Sequence, residues 1–159
     1  MPTLQMDGPY PLNRYSIALL DIKNVIGNYA LGYVNKSNMF IVLYVGRSDG
    51  DLKDRLASHI DELPEYTHFK YSIASSISEA FNKECKNFHD FGGDVGRLNN
   101  EIHPDAPNGY SLRCPYCKYN EYLEALKRVL DEEKWEASFL YKDDLFTNIK
   151  WKIIKLSLQ

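Results

Sequence analysis

Residues 29–34 and 39–46 are dense in aromatic and β-branched side chains, and Asn35-Lys36-Ser37-Asn38 between them has turn composition. The pattern predicts a β-hairpin. Leu52, Leu56, Ile60 and Leu63 recur on one helical face, and Pro64 closes that segment. Residues 69–74 read as a third strand. Ser76-Ile77-Ser78-Glu79 then has the S-x-x-E form of a capping box, predicting a helix to about Phe91 that Gly92 and Gly93 end. Before the hairpin, residues 15–21 read as a strand or a short helix. Residues 1–13, with Pro2, Gly8, Pro9 and Pro11, read as a lead-in without continuous structure. Beyond the second helix, residues 92–118 have little periodicity. An irregular stretch of that length in a compact domain is expected to carry function or to be pinned by a metal. Residues 120–134 read as a helix with Leu123, Leu126 and Leu130 inward, and residues 151–158 as a closing strand. Neither a repeat nor a linker divides the chain, so residues 1–159 are expected to form one α+β domain.

Composition narrows the picture only slightly. The 159 residues, 44% hydrophobic and 26% charged, suit an ordinary globular domain. No apolar run reaches the length of a bilayer span, and the first residues lack the basic and apolar segments of a signal peptide. A cytoplasmic protein without membrane association is therefore expected. A net charge of −3 counts mildly against nucleic acid as a partner. The charge is uneven, however: Lys23, Lys36, Arg47, Lys53, Arg55 and Lys70 fall early, while acidic residues crowd the end. A locally basic face remains compatible with the total.

Two features carry candidate chemistry in the first hundred residues. Arg55 and His59 are four apart, so they share a helical row at the border of the Leu52/Leu56 stripe, where a cleft side chain belongs. The plainer alternative pairs Arg55 with Asp51 and leaves His59 on the surface. Ile77, Phe81, Cys85 and Phe88 form the apolar stripe of the next helix, and Glu84 falls inside it. A carboxylate turned toward a core needs a partner or a metal. The plainer role for Glu84 is a buried partner for Arg55. Glu79 competes with it as an acid, but the capping box already accounts for Glu79.

Gly27-Asn28-Tyr29, followed by Tyr44-Val45-Gly46-Arg47-Ser48 and then Arg55-Leu56-x-x-His59, resembles the GIY-YIG nuclease superfamily over roughly residues 27–100. The resemblance implies a small central antiparallel sheet of about three strands flanked by helices. It also implies hydrolysis of DNA phosphodiesters with Mg2+ or Mn2+. Tyr29 would activate the attacking water, Arg55 would stabilise the phosphate, and Glu84 would hold the divalent ion. Tyr44 and His59 would complete the pocket, Arg47 would touch phosphate, and Asn99 would shape the site. Asn28 departs from the small aliphatic residue usual before the first tyrosine. The two tyrosines are fifteen apart, longer than is common, which implies a longer hairpin or a bulge.

Cys114-Pro115-Tyr116-Cys117 matches the glutaredoxin tetrapeptide, but it sits late, and no proline follows Pro115 to supply the facing loop. A zinc knuckle fits better. Cys85 and His89, at i and i+4 on one helical face, complete a C-x3-H … C-x2-C pattern of four ligands, with His103 as the substitute. If Cys85 packs in the core, His89 and His103 both bind. The bland alternative is three buried free thiols. The zinc would anchor the 92–118 loop in a structural role.

The leading expectation is thus a small metal-dependent endonuclease acting on DNA, with residues 101–159 as an extension and a targeting protein as an open possibility. The competing expectation is a catalytically idle GIY-YIG-like scaffold, braced by zinc, that binds nucleic acid or protein. A glutaredoxin-like oxidoreductase is the remote one.

Overall fold

A computed structural model describes residues 2–117 of the chain. The expected helix at 120–134 and strand at 151–158 lie outside the described residues. Within them, four strands form one antiparallel sheet: β1 (Asp7–Pro11), β2 (Gly27–Val34), β3 (Phe40–Ser48) and β4 (His68–Ile73), in the order β1-β4-β2-β3. Three helices accompany it: α1 (Arg14–Ala18), α2 (Leu52–Ser58) and α3 (Ile77–Asp90).

The α+β class expected from the hydrophobic pattern is therefore present, with one strand more than expected. The additional strand is β1, in the segment read as an unstructured lead-in. Its five residues are all exposed, and it pairs only with β4, through Asp7, Tyr10 and Pro11. An edge strand needs bonds on one side alone, so Pro9 and Pro11 are tolerated there. Of residues 15–21, Tyr15–Ala18 lie in helix α1, begun by Asn13, whose side chain accepts from the Ser16 amide at 2.8 Å. The 52–63 segment is helical only to Ser58; His59 is its C-cap and Leu63 is exposed.

Period-two alternation along β2 assigns its side chains to two cores. Tyr29 and Leu31 join Ile17, Leu20, Leu52, Leu56 and Phe69 beneath α1 and α2. Ala30 packs with Val45, Phe88, Leu4 and Leu98 on the side covered by α3. Asn28 points the same way as Ala30 and donates to the Ala80 carbonyl of α3 at 2.7 Å. That bond satisfies Nδ2 of this fully buried residue, while its Oδ1 has no hydrogen-bond partner among the described residues.

The fifteen-residue tyrosine spacing resolves as a bulge. Leu31 faces Tyr44 while Gly32 faces Val42, so Leu43 is the extra residue of β3. Asn35 closes the turn, its side chain accepting from the Ser37 and Met39 amides, both at 2.9 Å.

Candidate active site and a cysteine-histidine cluster

The hairpin register sets Tyr29 directly opposite Gly46. A Cβ on Gly46 would lie 2.5 Å from Cζ and Oη of Tyr29, so the third residue of Tyr44-Val45-Gly46 is glycine because the Tyr29 ring lies across it. Gly27 has a comparable reason: a Cβ there would meet the Ser72 carbonyl oxygen at 2.4 Å and Leu52 at 2.8 Å. Both motif glycines thus permit close packing around the first tyrosine.

The Tyr29 ring is fully buried, and its hydroxyl sits between two side chains of the α2 segment. Arg55 Nε donates to it at 3.0 Å, and the hydroxyl lies 2.8 Å from His59 Nε2. Because Arg55 is obligately a donor, the tyrosine proton is left for His59 Nε2. The other ring nitrogen, Nδ1, then donates to the Glu62 carboxylate. The result is a directed chain, Arg55 to Tyr29 to His59 to Glu62. Tyr44 stacks on Tyr29 with centroids 6.1 Å apart and lies 5.6 Å from the His59 ring. The plainer role for Arg55 is not realised, since Asp51 is the helix N-cap and accepts from the Lys53, Asp54 and Asn24 amides.

Burial pushes the Tyr29 hydroxyl far above the usual tyrosine range, and nearby Tyr44 adds to it despite Arg55. Tyr29 therefore stays protonated. Burial also lowers the His59 pKa; Glu62 opposes that shift and Arg55 reinforces it. A neutral imidazole accepting from a protonated tyrosine is the state in which one proton can move from Tyr29 to His59.

Glu84 is buried, as its place in the apolar stripe predicts, but its partner is Arg47 rather than Arg55. Arg47 lies on β3, bonds Asp49 through Nε at 2.8 Å, and sits over the Phe81 ring at 5.4 Å. Burial raises the Glu84 carboxyl pKa, and Arg47 pulls it back down. Tyr29, Tyr44, Arg55 and His59 thus touch one another, whereas Glu84 and Arg47 form an adjoining ion pair whose charge is felt at Tyr29 and Arg55. The Arg47 guanidinium is already engaged by two carboxylates.

Asn99 is placed behind the aromatic cluster. Its amide donates to the Leu43 carbonyl at 2.6 Å, and its side chain donates to the Tyr66 hydroxyl at 3.2 Å, while Tyr66 packs on Tyr44. Its neighbour Asn100, unremarked in the sequence, grips β3 from the side: Oδ1 accepts from the Val45 amide at 3.1 Å, and Nδ2 donates to the Val45 carbonyl at 2.8 Å. The two asparagines cover part of the β3 edge, which pairs with no further strand among the described residues. Glu62 also escaped the sequence reading. The signal was available, a carboxylate three residues after His59 at the end of a helix.

A second cluster lies along α3 and the loop that follows. His89 Nε2 is 3.2 Å from His103 Nε2 and 3.5 Å from Cys114 Sγ. The ligand atoms of Cys85, His103 and Cys114 lie within 4.8 Å of one another. These groups could hold a metal ion. His103 lies among them beside His89, so it is more than the substitute ligand that its spacing suggested. Cys85 is fully buried, with its thiol pKa pushed upward by burial and by Cys114.

No family model matches this chain, and neither a curated protein nor a solved structure matches it.

Proposed function

We propose that the protein is a metal-dependent phosphodiester hydrolase, with DNA as its substrate class. The observation that carries this reading is the proton chain at Tyr29. A buried, protonated tyrosine flanked by a guanidinium and a neutral histidine is more than packing requires. A hydroxyl buried for packing alone is satisfied by one partner.

The chemistry follows from the chain's direction. Water attacking a phosphorus atom must lose a proton as the new P–O bond forms. Tyr29 accepts that proton as it passes its own to His59 Nε2, so no free tyrosinate is required. Glu62 holds His59 by Nδ1 and stabilises the imidazolium that results. Arg55 supplies positive charge beside the same oxygen, where the phosphate becomes more negative in the transition state. Tyr44 walls the site and limits water.

Mg2+ or Mn2+ is part of this reading. Glu84, whose carboxylate is buried and paired with Arg47, would supply an oxygen to such an ion, and Asp49 lies across the same guanidinium. Arg47 now supplies the positive charge there, so a divalent ion would replace it as the counter-charge of Glu84. Once bound, such an ion supplies Lewis-acid stabilisation of the phosphate and leaving oxygens. The cysteine-histidine cluster takes no step in the reaction.

The test is cleavage of supercoiled plasmid and of branched DNA with Mg2+ or Mn2+, comparing wild type with Arg55→Ala and Glu84→Ala. Metal-dependent cleavage lost in both variants is expected. Cleavage indistinguishable among the three proteins, or absent on every substrate, would return the site to an idle scaffold.

A further inference from the structure

We propose that a single zinc ion binds between α3 and the loop that follows it, with His103 as an obligate ligand beside His89 and Cys114 and one further cysteine thiolate. This inference is independent of the hydrolase reading.

The argument begins with hydrogens. His103 Nδ1 lies 2.8 Å from the Pro104 carbonyl oxygen, which can only accept, so Nδ1 carries the hydrogen and Nε2 a lone pair. His89 turns its Nε2 toward that lone pair, 3.2 Å away, and toward the Cys114 sulfur at 3.5 Å; its Nδ1 faces the Asp94 carboxylate at 3.6 Å, beyond hydrogen-bond length. Two imidazole nitrogens and a sulfur thus converge, as the donors of a metal site do. The Pro104 carbonyl behind His103 is the kind of outer partner that holds a metal-bound histidine in one tautomer.

The spacing agrees. With Zn–N of about 2.0–2.1 Å and Zn–S of about 2.3 Å, ligand atoms of a tetrahedral site are about 3.3–3.8 Å apart. The donors are imidazole and thiol, which select zinc over magnesium or calcium. Two imidazoles and Cys114 leave one position of four. Cys85, whose sulfur lies within 4.8 Å of the His103 and Cys114 ligand atoms, completes a Cys2His2 set, and Cys117 is the other cysteine the C-x2-C pattern offers.

The ion would tie the 92–114 segment to α3. That segment carries Asn99 and Asn100, which hold β3 at Leu43 and Val45.

The experiment measures metal in the full chain, purified without chelator, by elemental analysis, and then records the spectrum of the Co2+-substituted protein. One zinc per chain and a tetrahedral, thiolate-containing Co2+ spectrum are expected. His103→Ala and Cys114→Ser should each lose the metal. Between Cys85→Ser and Cys117→Ser, the variant that loses it identifies the fourth ligand. If His103→Ala does not fold, His103→Cys restores a ligand and should retain zinc with stronger sulfur-to-metal charge transfer. Absence of zinc from wild type together with failure to take up tetrahedral Co2+ overturns the proposal. Full occupancy with an unchanged Co2+ spectrum in His103→Ala does so as well.

Discussion

The Tyr29 cluster and the cysteine-histidine cluster both gather polar side chains at low exposure, yet they are satisfied differently. The Tyr29 hydroxyl, Arg55 Nε and both His59 ring nitrogens have protein partners, and the bonds run in one direction from Arg55 to Glu62. Around His89 two ring nitrogens face each other and the Cys114 sulfur, and among the described residues only His103 Nδ1 has an oxygen within hydrogen-bond reach. The first arrangement is complete without an ion and is suited to moving a proton. The second makes physical sense around a cation. Burial alone therefore says little about role; what differs is which partners the buried polar atoms meet.

The largest expected effect breaks the relay while sparing its packing. Tyr29→Phe keeps the ring over Gly46 and removes only the hydroxyl, so we expect a loss of about 10²–10⁴ in kcat with little change in thermal stability. Steady-state cleavage and a melting curve on the same preparation check both halves. An equal fall in stability and activity would make the hydroxyl a structural group.

Arg55→Ala should cost about 10²–10³ in kcat, because it removes the charge beside the reacting oxygen. It also has a signature in pH. Arg55 lowers the His59 pKa, and activity requires neutral His59, so the acid limb of the rate profile should move to higher pH in this variant. Glu62→Gln should act oppositely. Glu62 raises the His59 pKa, so its loss moves the acid limb to lower pH, away from the ordinary histidine range. Opposed shifts of the two variants sharpen the assignment of that limb to His59; shifts in the same direction contradict it.

Metal removal should separate the two regions. Chelator treatment is expected to speed hydrogen exchange at the Val45 amide, which Asn100 covers, while leaving the Tyr29 environment unchanged. Mass spectrometry of exchange and tyrosine fluorescence report the two sides. A smaller effect is expected at Gly46→Ala, whose added methyl must displace the Tyr29 ring at a cost of about 1–3 kcal/mol.

Much of the relay was legible in sequence because its parts are local. Arg55 and His59 share a helical row, and Glu84 declared itself as a carboxylate within an apolar stripe. Which residue pairs with Glu84 was not legible, since Arg47 and Glu84 are 37 positions apart and meet only through packing of α3 on β3. Strand β1 was hidden for another reason: an exposed edge strand needs neither hydrophobic alternation nor a full set of amides, so Pro9 and Pro11 disguised it as a lead-in. The role of His103 was underrated because zinc-site spacing rules favour ligands close in sequence. Here His103 reaches His89 from fourteen residues away.

The most direct test of the hydrolase claim is single-turnover cleavage of end-labelled DNA with Mg2+ by wild type and Tyr29→Phe, measured across pH. The account predicts a wild-type rate that rises with pH through a single ionisation below the ordinary histidine range. It predicts a Tyr29→Phe rate lower by about 10²–10⁴ across that span. Equal rates for the two proteins, or no cleavage by wild type, would contradict it.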